Sequence, residues 1–248
     1  MKPLLFLVLF VGYCSASLKI VNGTDAEEGE FPFMVSLRHG VDHACGGTII
    51  NSKHVLTAAH CVCDYGNAKN TDGYNIQYGS IHITRTYERT MEVEKFICAD
   101  YNPQLGTNDV AIVRLVSTLP MIDGWQSVYL KNDLKTDFQH DGWVVGWGRL
   151  WDAGPIPSVL QKLQVTTLSD SACGTQHDSD HHLCAKSIGP AGGICNGDSG
   201  GALIVSGGGQ VGIASFITTT CGTTTDVTPD GFSKVSTYYQ WIINNSNL

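Results

Sequence analysis

An all-β fold is what this 248-residue sequence predicts, and three observations carry the prediction. Past residue 30, short β-like runs recur between Gly, Asn and Asp, the spacing of barrels or sandwiches. Helical periodicity is scarce until the last segment. The 28 glycines, with charged residues at only 15%, suit a compact, turn-rich chain and argue against disorder. The length allows one large all-β unit or two small domains. A formal net charge of −8 disfavours nucleic acid as a partner, because phosphate binding needs a basic face.

Each element can be justified in chain order. Lys2, the apolar run from Leu4 to Gly12 and the small residues Cys14, Ser15, Ala16 and Ser17 have the pattern of a signal peptide over residues 1–17. The run is too short to cross a bilayer, and no later segment is long and apolar enough for an anchor. A secreted, extracellular protein with no membrane partner is therefore expected. Strands are expected at Met34–Leu37, Ile76–Tyr78, Val110–Leu115, Trp143–Gly148, Val211–Phe216 and Phe232–Val235, each a short apolar run bounded by turn residues. The Thr-rich stretch Thr218–Thr228 reads as an exposed loop. Ser236 or Thr237 can cap a final helix through Tyr238, Trp241, Ile242 and Ile243.

Export changes how the nine cysteines are counted. Cys14 leaves with the signal, and an even number remains: Cys45, Cys61, Cys63, Cys98, Cys173, Cys184, Cys195 and Cys221. In an oxidising compartment that implies disulfides. The spacing of Cys61 and Cys63 does not fit a zinc knuckle. Asn22-Gly23-Thr24 and Asn244-Asn245-Ser246 are candidate glycan acceptors.

Three local signatures follow one another: Thr57-Ala58-Ala59-His60-Cys61, then Asn108-Asp109-Val110-Ala111, then Cys195-Asn196-Gly197-Asp198-Ser199-Gly200-Gly201. A lone His or Asp carries little meaning. A Ser flanked by small residues carries more, since backbone N–H groups can then face a reacting carbonyl. Together, and with Ile20-Val21-Asn22-Gly23, Cys45-Gly46-Gly47 and Gly146-Trp147-Gly148, these signatures resemble the trypsin/chymotrypsin family of serine proteases over everything after Lys19.

The resemblance implies two antiparallel six-stranded β-barrels with a C-terminal helix. His60 and Asp109 would come from the first barrel, Ser199 from the second, and the subdomain boundary would fall near residue 130. Ser199 would attack the scissile carbonyl, His60 would carry its proton, and Asp109 would hold the imidazole. The amides of Gly197 and Ser199 would form the oxyanion hole. Ser215 and Phe216 would begin the edge along which substrate adds as a strand. Residues 18–19 would be a short propeptide, and cleavage of Lys19-Ile20 by a trypsin-like protease would free the Ile20 amine to pair with Asp198. The family pairs Cys45–Cys61, Cys173–Cys184 and Cys195–Cys221, leaving Cys63–Cys98 as a fourth, less common bridge.

Where trypsins carry a pocket-base aspartate, this chain has Gly193. Ile217 and Asp230 match wall positions that are usually Gly, Ile194 matches a further lining position, and Asn196 the entrance. The set resembles the pocket of neutrophil elastase and, in Gly193 and Asp230, that of crustacean collagenolytic proteases. A preference for Ala or Val follows, graded rather than absolute. Chymotrypsin-like or broad specificity, a basic preference drawn by Asp230, and a non-catalytic homologue acting as a binding protein remain open alternatives. Polypeptide substrates and protein protease inhibitors are the implied partners, and a monomer is expected. His177, His181 and His182, between Cys173 and Cys184, read as a solvated loop rather than a metal site. Ser80 stands where the calcium loop of trypsins needs a carboxylate, and Ala202 where the family usually has Pro. No metal or organic cofactor is expected.

Overall fold

Two closed antiparallel barrels pack against each other in the computed structural model, which describes residues 20–120 and 124–248. The expected signal peptide, the propeptide and Lys19 lie outside the described residues. A short strand β1 (Thr24–Asp25) precedes the first barrel, made of β2 (Met34–His39), β3 (Asp42–Asn51) and β4 (His54–Thr57) with three later strands. Between them come helix α1 (Ala59–Val62) and the small hairpin β5 (Cys63–Asp64) and β6 (Asn67–Ala68). The barrel is completed by β7 (Tyr74–Gln77), β8 (Thr90–Cys98) and β9 (Ala111–Leu115), in the order β2-β3-β4-β9-β8-β7.

The second barrel uses β10 (Asp141–Gly146), β11 (Gln161–Thr167), β12 (His182–Ser187), β13 (Ala202–Val205), β14 (Gln210–Phe216) and β15 (Asp230–Lys234). Its order is β11-β10-β13-β14-β15-β12, and pairing of β11 with β12 closes it. β1 adds to the outside of β11. All six runs expected to be strands are strands, displaced at their ends by a residue or two.

Strand alternation explains why so many runs are apolar without interruption. In β9, Ala111, Val113 and Leu115 fill the first barrel, while Ile112 faces the seam between barrels. In β13, Leu203 and Val205 fill the second barrel, while Ala202 and Ile204 face the seam. Both faces are buried, so the polar half of the usual alternation disappears. Trp147, Leu160 and Ile213 share that seam with Val235, Tyr238 and Ile242 of the final helix α2 (Val235–Ser246). The helix begins earlier than its expected cap. Lys234 holds the N-cap position without a side-chain bond, because β15 runs directly into the helix. Thr237 donates its hydroxyl to the Asp180 carbonyl instead.

Four disulfides staple this frame: Cys45–Cys61, Cys63–Cys98, Cys173–Cys184 and Cys195–Cys221. They are the pairs that the resemblance implies.

Candidate active site

His60 stands on α1, directly after β4, with its neighbour Cys61 tied to β3. Asp109 follows Asn108, whose backbone is left-handed (φ 57°) and whose N–H donates to the Tyr238 hydroxyl at 2.9 Å. That turn delivers Asp109 into the seam, 2% exposed. Its Oδ1 accepts the His60 backbone N–H at 2.8 Å, and its Oδ2 lies 2.8 Å from His60 Nδ1. A carboxylate can only accept, so Nδ1 carries the proton and Nε2 is left as the base. Ser215 donates its hydroxyl to the same Oδ2, and Ser233 donates to the Asp109 carbonyl at 2.8 Å. Ser215 can do so because the β14–β15 register shifts between Ala214 and Phe216, releasing it from the ladder.

Ser199 is fixed through its backbone. Gly46 donates to its carbonyl at 2.8 Å, and Gly200 donates to Ala214 at 2.8 Å. Gly200 has φ +80°, and a Cβ there would lie 2.2 Å from Thr57 Oγ1 and 2.5 Å from the Gly46 carbonyl. Only glycine lets the serine turn press so closely on the strand that leads to His60. The amides of Gly197 and Ser199 donate to no acceptor among the described residues, which leaves both available to a developing oxyanion.

His43 was not singled out from sequence, where it is one unremarkable histidine near Cys45. Ser36 donates to its Nδ1 (2.7 Å), and its Nε2 donates to the Gly197 carbonyl (2.9 Å). Burial pushes its pKa down to about 4, so it is a neutral brace behind the turn at Gly197. Beside it a cavity of about 410 Å³ opens between Val41, Ile83 and Ile156.

Ile20 and Asp198 are both fully buried in the second barrel. The Asp198 carboxylate accepts from Gly148 (2.7 Å) and Cys195 (2.9 Å). A Cβ on Gly146 or Gly148 would lie 2.3 or 2.2 Å from that carboxyl group, which explains the Gly-Trp-Gly run. In the uncut chain the Ile20 nitrogen is an amide, and burial without a cation pushes Asp198 up to about 7.

Gly193 and Asp230 meet at the base of the expected pocket. A Cβ on Gly193 would lie 2.4 Å from Asp230 Oδ2, which accepts the Ile194 N–H at 2.7 Å. Burial, with Asp198 nearby, pushes Asp230 up to about 8. The Ile194 side chain packs into the barrel core, with Ile217 half-buried against it, and Asn196 is exposed. The Thr218–Thr228 loop is tied back by Thr224, which donates to Gly192, and by a turn in which Thr225 Oγ1 accepts from Val227 and Thr228 (3.2 and 3.1 Å).

The histidine-rich segment departs from the solvated loop expected of it. His182 is buried, and the rings of His177 and His182 pack on Phe216 with centroids 5.2 and 5.1 Å away. Only His181 keeps an exposed ion pair, to Asp178 at 2.8 Å.

Comparison with known proteins gives one answer at several levels. The family model described as Trypsin matches residues 20–242. Serine protease SP24D of Anopheles gambiae is 33% identical over 232 residues, covering 90% of this chain and 80% of that protein. Neutrophil elastase of Mus musculus is 33% identical over 242 residues, covering 96% and 86%. The solved structure of human heparin binding protein superposes with a TM-score of 0.77 at 26% identity, covering 90% of this chain and 95% of that one.

Proposed function

The chain belongs to the trypsin family of serine proteases, and from that premise we propose a secreted endopeptidase, activated at Lys19-Ile20, that cleaves after small aliphatic residues. Ser199 Oγ attacks the scissile carbonyl while His60 Nε2 takes its proton. The imidazolium then gives that proton to the leaving amine, and water repeats the sequence on the acyl-enzyme. Asp109 holds the tautomer this requires, and the single observation that carries the reading is its carboxylate, engaged by His60 through both oxygens. Each oxyanion donor, Gly197 N–H and Ser199 N–H, is worth roughly 3 to 4 kcal/mol in the transition state.

Export is supported by the leader pattern and by the four disulfides. Activation is supported by the buried Asp198 carboxylate. A free Ile20 amine would supply the cation it lacks, and the serine turn would settle around the pair. The pocket reading rests on Asp230, whose carboxyl occupies the space a longer substrate side chain would need, and on Ile217 at the wall. The polyanion binding in the name of the human relative does not carry over, because a net charge of −8 works against it.

The test is hydrolysis of peptides that differ only in the residue before the scissile bond, after trypsin cleavage at Lys19-Ile20 and removal of the trypsin. Ser199→Ala serves as the control. Highest kcat/KM for Ala or Val, lost in the control, is the expected result. A maximum at Phe or Tyr overturns the pocket reading, and one at Lys or Arg means that Asp230 reaches the substrate. No hydrolysis of any peptide by the cut protein would make it a non-catalytic homologue.

A further inference from the structure

His182 opens β12 at 2% exposure, and three parts of the fold converge on its ring. The Asp178 N–H donates to its Nδ1 at 3.1 Å. With that nitrogen accepting, Nε2 carries the proton and donates to the Gly106 carbonyl at 3.0 Å. Gly106 lies in the first-barrel turn bridged by Asn102 and Thr107, just ahead of Asn108 and Asp109. The ring itself meets Phe216 edge-on, with planes 74° apart. His177 supports Phe216 from beside it.

We infer that His182 is a positioning residue: as the neutral Nε2–H tautomer it clamps the Phe216 edge to the loop that carries Asp109, and protonation releases the clamp. The inference rests on the reading of Ser215–Ile217 as the substrate-binding edge. A second proton would sit on Nδ1 and face the Asp178 N–H, two donors head to head. The bond from the Asp178 N–H is then lost and a charge is left in a buried site, so the ring gives up its place and with it the Nε2–H bond to the Gly106 carbonyl.

The charged and titratable groups around it are few. Asp178 and His181 lie on its own loop, paired with each other, and His177 lies across the loop. Asp109 faces it from the first barrel, and Lys234 approaches from β15, its ammonium held by Asp170 and the Ser179 carbonyl. Desolvation is the largest influence and lowers the pKa of His182, with His181 adding to it and the Gly106 bond, Asp178 and Asp109 opposing it. His177 is lowered for the same first reason. Release therefore falls in acid, below the ordinary histidine value of about 6.5.

The experiment follows KM from about pH 8 to about pH 5 in protein cut at Lys19-Ile20. One substrate is a peptide long enough to run along Phe216, and the other is a single-residue ester with the same scissile residue. Any change in the chemistry common to both substrates cancels from the ratio of the two KM values. That ratio should rise about threefold to tenfold in acid, the effect of one lost hydrogen bond. In His182→Gln, whose amide can donate to Gly106 but cannot titrate, the ratio should stay flat.

A flat wild-type ratio overturns the inference, as does an unchanged rise in His182→Gln, which would move the titration to His177. Nitrogen NMR of the imidazoles reads the clamp without catalysis and without any variant. It should find His182 protonated on Nε2 alone, with a midpoint below the ordinary histidine value of about 6.5. An Nδ1–H tautomer or an ordinary midpoint overturns the clamp even if His182→Gln does not fold. If the NMR result is as expected but no peptide is cut, the protease reading fails and the clamp stands.

Discussion

Gly193 and Asp230 make sense only as a pair. The space a side chain at 193 would fill is taken by the Asp230 carboxyl, 2.4 Å from the Cβ position, and by Thr224 Cγ2 at 2.7 Å. Gly193→Asp is therefore not a route to a trypsin pocket. It would place a second carboxyl on the first and cost about 1 to 3 kcal/mol in overpacking alone. We expect the single variant to lose stability in a denaturant titration and to gain no activity on Lys peptides. Gly193→Asp with Asp230→Gly should recover folding and favour Lys. Equal behaviour of the single and double variants would overturn the pairing. Sequence placed both residues at the pocket by position, but could not tell that one fills the other's space. His43 and His182 were less legible still. His43, half-buried, and His182, buried, are each held by a partner distant in sequence, Gly197 and Gly106, which no local pattern marks.

At the scale of elements, the apolar runs β2, β9 and β14 were legible because seam and barrel interior bury both of their faces. Strands such as β8 were not, because Glu92, Glu94 and Lys95 break its apolar pattern on the exposed side. Neighbours in the barrel order such a strand more than its own propensity does. The missed cap of α2 has the same origin, since the helix is started by the end of β15 rather than by a side chain. Tertiary position also explains the least common staple. Cys63–Cys98 ties β5, just beyond the His60 helix, to the end of β8, closing a loop with a sequence separation of 35. In the chain-entropy account such a link contributes about 4 kcal/mol. Replacing both cysteines by Ser should lower Tm by roughly 10 °C, readable by calorimetry, while the pocket preference stays as it is. A shifted preference would mean that the bridge shapes the cleft as well as the stability.

For the molecule as a whole, the proposed activation would be linked to proton binding. In the folded uncut chain burial raises Asp198 to about 7 and Asp230 to about 8. The unfolded chain releases those protons near about 4. The folded state thus holds more protons in between, and its stability falls as pH rises from about 4, levelling off above each raised value. Cutting at Lys19-Ile20 should supply Asp198 with an ammonium partner and remove its share of that fall. The Tm of the cut form minus that of the uncut form, both carrying Ser199→Ala, should widen between about pH 4 and about pH 7. A constant difference would overturn the linkage. His43, lowered to about 4, loses stability as pH falls below about 6.5, equally in both forms, and so cancels. The Thr225 turn bears on how long such an enzyme survives its own kind. Val227 is 85% exposed, in the Thr218–Thr228 loop, and is of the residue type that the proposed pocket would favour. A substrate must be drawn out into an extended strand before it can be cut. By gathering the Val227 and Thr228 amides onto one hydroxyl, Thr225 keeps this stretch curled, away from the extended shape in which a protease of the proposed preference would have to take it.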